Sequence, residues 1–244
     1  MPLFFLTALI YSTVGLGGGS TYLALLVLFS IPYQAIPKIG LICNLIVVTG
    51  GCFFYIKEGH FSFKKTVPFV LTSIPFAYLG GRIPIQKEFF QLLLGFSLLA
   101  AAVRMLLAEK AYSASGSIGW KKSLLIGLPI GALLGLLSGL VGIGGGIFLS
   151  PLLCLLHWTD AKGAAASASF FILVNSLAGL SGQIMKSGVL PEMIFIIPLG
   201  VAALLGGQIG SRLGSREIPK LAVQRITSIL IFFVAGRLLW NGFL

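Results

Sequence analysis

The stretch Val14-Gly15-Leu16-Gly17-Gly18-Gly19 recurs as Val141-Gly142-Ile143-Gly144-Gly145-Gly146. Inside a helix each glycine costs about 1 kcal/mol relative to alanine. Three in succession, with a fourth two positions upstream, predict a break. Around the first copy the apolar flanks are residues 3–14 and 21–31, each about half of the roughly 20 residues that a spanning helix needs. Each copy therefore predicts either a discontinuous spanning helix or a re-entrant hairpin that returns to its own side.

The repeat extends outward from the glycines. An apolar run and a polar corner follow, Tyr33-Gln34-Ala35 in the first copy and Thr159-Asp160-Ala161 in the second. Next comes a longer apolar run, holding Asn44 and reaching Gly51, or holding Asn175 and reaching Gly182, with the same spacing. A basic loop and a third run ending Gly80-Gly81-Arg82 or Gly210-Ser211-Arg212 come next, then a fourth run with a late arginine, Arg104 or Arg237. Residues 109–122 form the longest polar segment. The organisation is a first repeat over 1–108, a linker over 109–122 and a second repeat over 123–244. Duplication of this kind is a recurrent way to build a transporter.

Composition places both repeats in a bilayer. Hydrophobic residues make up 57% of the 244 and charged ones 9%, against roughly 25% charged in a soluble domain. The runs at 39–56, 66–81, 123–141 and 163–185 carry no charge. They are too long, and too uniformly apolar, for barrel strands of about 10 residues. The expected fold is all-α: a polytopic helix bundle of two inverted repeats, each with a glycine-broken helix, re-entrant or discontinuous, plus three spanning helices. The N-terminus, Met1-Pro2-Leu3-Phe4-Phe5, has no basic region and no cleavage site follows Leu9, so the first segment is expected to stay in the mature chain. The net charge of +11 comes from residues between the runs, where they meet anionic headgroups; nucleic acid is not the expected partner.

Basic residues arbitrate the topology. If both broken segments span, the two sides carry nine and eight of the 17 Lys and Arg, which is no bias. If both are re-entrant, one side carries Lys57, Lys64, Lys65, Arg104, Lys110, Lys121, Lys122, Lys162, Arg212, Arg216, Lys220 and Arg225, and the other Lys38, Arg82, Lys87, Lys186 and Arg237. Cytoplasmic sides carry the excess, so the second arrangement satisfies the rule. It leaves three crossings per half, oppositely oriented halves and both termini outside. Run 123–141 alone is long enough to span.

Enzymatic chemistry has no foothold. No Walker-type loop, metal-ligand cluster or supported Ser-His-Asp pattern exists, and no cofactor is expected. Cys43, Cys52 and Cys154 lie in apolar runs without CxxC spacing and read as small hydrophobes. The acids Glu58, Glu88, Glu109, Asp160, Glu192 and Glu217 all fall in loops or at helix ends, which argues against a cation cargo bound by carboxylates at mid-depth.

The paired glycine segments, each followed by an asparagine in an apolar helix, together with Phe171-Ile172-Leu173-Val174-Asn175-Ser176, Gly179 and Gly182, resemble the sulfite exporter TauE/SafE family of membrane permeases. The resemblance covers nearly the whole chain. It implies a secondary transporter in a prokaryotic plasma membrane that handles sulfite, sulfonates or other small sulfur-containing or organic anions. Half one departs from the family pattern. It lacks the proline that follows the glycines in half two, Pro151, and reads Gly40 to Asn44 where half two has Ser167 and Ser169.

The candidate site residues follow from physics at the breaks. A helix starting in mid-membrane exposes free amides that favour an anion. Gly17, Gly18, Gly19, Ser20 and Thr21 are expected to form one cradle, and Gly144, Gly145 and Gly146 a facing one, near the midplane. Close helix packing through small residues is the competing reading. Asn44 and Asn175 offer two donors each, and Ser169, Ser176 and Gln183 are candidates to line the same path. Arg82, Arg104, Arg212, Arg225 and Arg237 read as snorkelling to headgroups. A non-transporting membrane subunit and a passive channel stay open as alternatives, as does a homo-oligomer.

Overall fold

The computed structural model describes residues 1–29, 31–32, 35–83, 99, 102–103, 106–107, 119–187 and 196–243. The fourth run of half one and most of the linker lie outside the described residues. Those described form helices without strands: α1 (Pro2–Ser12), α2 (Gly19–Leu28), α3 (Ile36–Lys57), α4 (Phe63–Arg82), α5 (Trp120–Val141), α6 (Gly146–Leu155), α7 (Ala161–Ser187), α8 (Ile196–Arg216) and α9 (Lys220–Phe243). Four of them, α3, α5, α7 and α8, are long and apolar enough to cross a membrane. At 1.5 Å per residue, 22 residues of α3 or α5 reach about 33 Å, the depth of a bilayer core. The chain is a multi-pass membrane protein.

Small residues set which helices touch. On α5, Gly131, Gly135 and Gly139 recur every fourth residue, and a Cβ on any of them would run into the backbone carbonyl of Phe69, Ser73 or Ala77 on α4. On α8, Gly206, Gly210 and Gly214 meet the carbonyls of Phe5, Leu9 and Thr13 on α1 in the same way. Glycine at four-residue spacing lets two backbones approach where lipid offers no hydrophobic driving force. Pro68 inside α4 removes the amide that would bind the carbonyl four residues earlier; that Lys64 carbonyl instead accepts from Ser123 Oγ of α5 at 2.8 Å.

These contacts give directions. Along α4 and α5 the paired positions rise together, Gly127 against Pro68 and Gly139 against Ala77, so the two helices run parallel. α1 and α8 are parallel by the same reasoning. α3 also follows α8, with Val47 against Gly207 and Gln208 against Gly50. Between α3 and α7 the order reverses: Gly51 meets Ser169, whereas Leu41 meets Gly179. α2 runs back along α1, since Gly18 abuts Thr7 and Tyr22 stacks on Phe4 at 4.7 Å and 8°. Each half thus lends its first helix to the third helix of the other half.

At one end of the bundle polar side chains close the C-terminus of α8. Lys162 Nζ donates to the Ser215 and Arg216 carbonyls at 3.0 and 3.3 Å. His60 Nε2 lies 3.1 Å from the Ser215 carbonyl, and Arg216 Nε pairs with Glu58 at 2.6 Å. Cations at the end of a helix satisfy its orphan carbonyls and its dipole. The Tyr55 hydroxyl donates to the Thr13 carbonyl at the top of α1.

Candidate functional site

Both glycine segments leave the helix through left-handed glycines. Gly15 sits at φ +72°; its amide reaches the Ser12 carbonyl at 3.1 Å and that of Leu16 reaches the Tyr11 carbonyl at 3.0 Å. This is a Schellman close. Gly142, at φ +79°, ends α5 with the single Gly142-to-Ser138 bond of 2.9 Å, the simpler left-handed cap. Gly18 at φ +86° and its counterpart Gly145 at +75° are both left-handed, and Gly144 at +86° adds a third such glycine in the second segment only, a conformation open to glycine at little cost. α2 and α6 start immediately beyond.

The starts of α2 and α6 are rich in unused donors. Among the described residues the amides of Gly17, Gly18, Gly19 and Ser20 donate to no backbone carbonyl, nor do those of Gly144, Gly145, Gly146 and Ile147. A cavity of about 10 Å³ opens on the first group, lined by Tyr11, Leu16, Gly17, Gly18, Gly19 and Ser20 from half one and by Ile143, Ile147 and Ile172 from half two. That is room for about one water.

Asn44 joins the two segments. It is wholly buried on α3, and its Nδ2 donates to the Ile143 carbonyl of half two at 3.0 Å. The same carboxamide packs on Gly17 and Gly19, where an added Cβ would collide with it, and it lies beside Gly144. Ser169 of α7 crosses in the other direction and donates from Oγ to the Gly15 carbonyl at 2.9 Å. Each glycine segment is therefore held by a side chain from the other half.

Several polar atoms are left over. Among the described residues Asn44 Oδ1, Asn175 Oδ1, Ser20 Oγ, Tyr22 Oη, Ser138 Oγ, Ser176 Oγ and Ser211 Oγ are buried without a hydrogen-bond partner. Each such atom costs about 1–3 kcal/mol if nothing ever satisfies it. Ser138 and Ser176 lie beside Gly145 and Gly144 respectively, so with Asn44 three of the seven border the second glycine segment or join it to the first.

The remaining candidates scatter. Thr21 Oγ1 donates to the Tyr11 hydroxyl at 2.9 Å. Asn175 donates to Phe171 of its own helix at 2.8 Å, and Gln183 ties α7 to the Gly139 carbonyl of α5 at 3.1 Å. Two further residues lie near the cavity: Tyr11, which the sequence did not single out, and Arg237, which turns inward to the bundle instead of snorkelling to headgroups. Tyr11 lines the cavity, and Arg237 of α9, half-buried, donates to the Ser20 carbonyl at 3.3 Å. The signal for Arg237 was its recurrence: each half has a late arginine in its fourth run. Arg216 and Glu58 pair at the far end, and among the described residues no group of metal-ligating side chains occurs.

Comparison with known proteins places the chain among membrane transporters. The family model described as sulfite exporter TauE/SafE matches residues 1–238. A "Probable membrane transporter protein" of Sinorhizobium fredii is 33% identical over 240 residues, covering 97% of this chain and 96% of the relative. Proteins of the same description from Bacillus subtilis, 23% identical with 95% and 93% covered, and Methanocaldococcus jannaschii, 25% identical with 93% and 89% covered, are also similar. No solved structure matches.

Proposed function

The chain belongs to the sulfite exporter TauE/SafE family, a family of membrane transporters, and from that premise we propose that it is a secondary carrier of small anions, sulfite, a sulfonate or another sulfur-containing or organic anion, bound between its two glycine segments. One observation carries this reading: two helix starts, one from each half, leave amides without a backbone acceptor, and the buried Asn44 carboxamide packs against both segments. Such amides attract negative charge, and the Arg237 guanidinium adjoins the first of them.

Helix directions support inverted repeats with re-entrant hairpins. α1 and α5 run in opposite directions, as do α3 and α7, and α2 doubles back along α1. Lys57, Lys64, Lys65, Lys121, Lys122, Lys162, Arg212 and Arg216 begin or end helices at the end where α8 is capped. Lys38, Arg82 and Lys186 mark the other end. The positive-inside rule then puts the capped end in the cytoplasm. A cavity of about 10 Å³ is too small for such an anion, so transport requires the two segments to part around Asn44.

The test is uptake of sulfite, sulfoacetate, thiosulfate and lactate into proteoliposomes holding the purified chain. Saturable uptake of at least one, lost in Arg237→Gln, is expected. Absence of saturable flux for all four overturns the proposal.

A further inference from the structure

The donors around the site are abundant, but one buried group there is of the opposite kind. Asn44 Oδ1 can only accept. Its orientation is set rather than ambiguous, because Nδ2 of the same amide is committed to the Ile143 carbonyl at 3.0 Å. Oδ1 faces the Gly17 and Gly19 stretch that lines the cavity, the residue is 0% exposed, and among the described residues no donor reaches it. A bare oxyanion would satisfy the free amides and Arg237 yet leave this oxygen stranded, and would add a repulsive neighbour to it.

We infer that the cargo is an anion that also carries a hydrogen-bond donor, a hydroxyl or protonated oxygen, which it gives to Asn44 Oδ1 while its charged oxygens take the amides of Gly17 to Ser20. This rests on the anion-carrier reading and sharpens its substrate class. The chemistry is asymmetric. A site that leaves a buried acceptor unpaired rejects an isostere lacking the donor far more strongly than an apolar pocket rejects an added group. Ser20 Oγ, also unpaired and on the cavity wall, serves either end, since a hydroxyl both gives and accepts.

The experiment uses the full chain in phosphatidylethanolamine–phosphatidylglycerol vesicles. Uptake of sulfur-labelled sulfite is competed by two isosteric pairs of equal charge: isethionate against propane-1-sulfonate, and glycolate against propionate. The hydroxyl-bearing member of each pair is expected to compete about tenfold better, the value of one buried hydrogen bond. In Asn44→Leu, which keeps the shape of the side chain, the preference should fall to within about twofold. Equal competition within both pairs on the unmodified chain overturns the inference whatever the variants do. A preference that persists undiminished in Asn44→Leu overturns the role of Asn44. Absence of sulfite uptake strikes at the carrier reading instead, so the two failures are distinguishable.

Discussion

Replacing Gly19 by alanine puts a methyl group into the joint between the halves. A Cβ built there lies 2.5 Å from Asn44 Nδ2, 2.9 Å from the Ile143 carbonyl oxygen and 3.1 Å from Asn44 Oδ1, which is the space occupied by the 3.0 Å bond between Asn44 and Ile143. The backbone at Gly19 lies outside the left-handed region, so the cost comes from collision and not from strain. Overpacking costs about 1–3 kcal/mol and an unpaired buried hydrogen bond a similar amount, so the variant should lose on the order of 2–5 kcal/mol. For a chain of this size that is a Tm lower by roughly 5–15 °C. Gly236 on α9 supplies the control: nothing lies within 4 Å of a Cβ built there, and Gly236→Ala should be neutral or stabilising by up to about 1 kcal/mol. Thermal unfolding of both variants in one detergent, with sulfite uptake alongside, is the assay. If Gly19→Ala melts within about 1 °C of Gly236→Ala and transports normally, Asn44 does not hold the two segments together.

Three further outcomes are expected. Asn175→Ala should destabilise by no more than about 1 kcal/mol and leave more uptake than Asn44→Ala, because Asn175 bonds only within its own helix; equal losses would refute the distinction. Ser123→Ala should cost about 1 kcal/mol of stability by freeing the Lys64 carbonyl without changing substrate preference, and a changed preference would show the α4–α5 contact reaching the site. Cysteines introduced at Lys122 and Lys186, at the start of α5 and the end of α7, should label from opposite faces of the membrane; labelling from one face would refute the inferred helix directions.

The bilayer setting, the repeated segments and the family were legible from local features. Charge content sets the solvent, run length sets the helix type, and triglycine is costly in a helix wherever it stands. The candidate residues were legible as chemical types for the same reason, since a buried amide or a free helix start is unusual in lipid. Their partners were not. Asn44 bonds a carbonyl 99 residues away, Ser169 one 154 away, and Arg237 one 217 away. Asn44 and Asn175 occupy matching positions in the repeat, yet one clasps the opposite half and the other its own helix. What separates them is which glycines sit opposite, and that depends on two backbones coming close enough to touch. Glycine stripes permit such an approach in many pairings; only the assembled bundle selects one, because packing and backbone satisfaction are met by all the helices together.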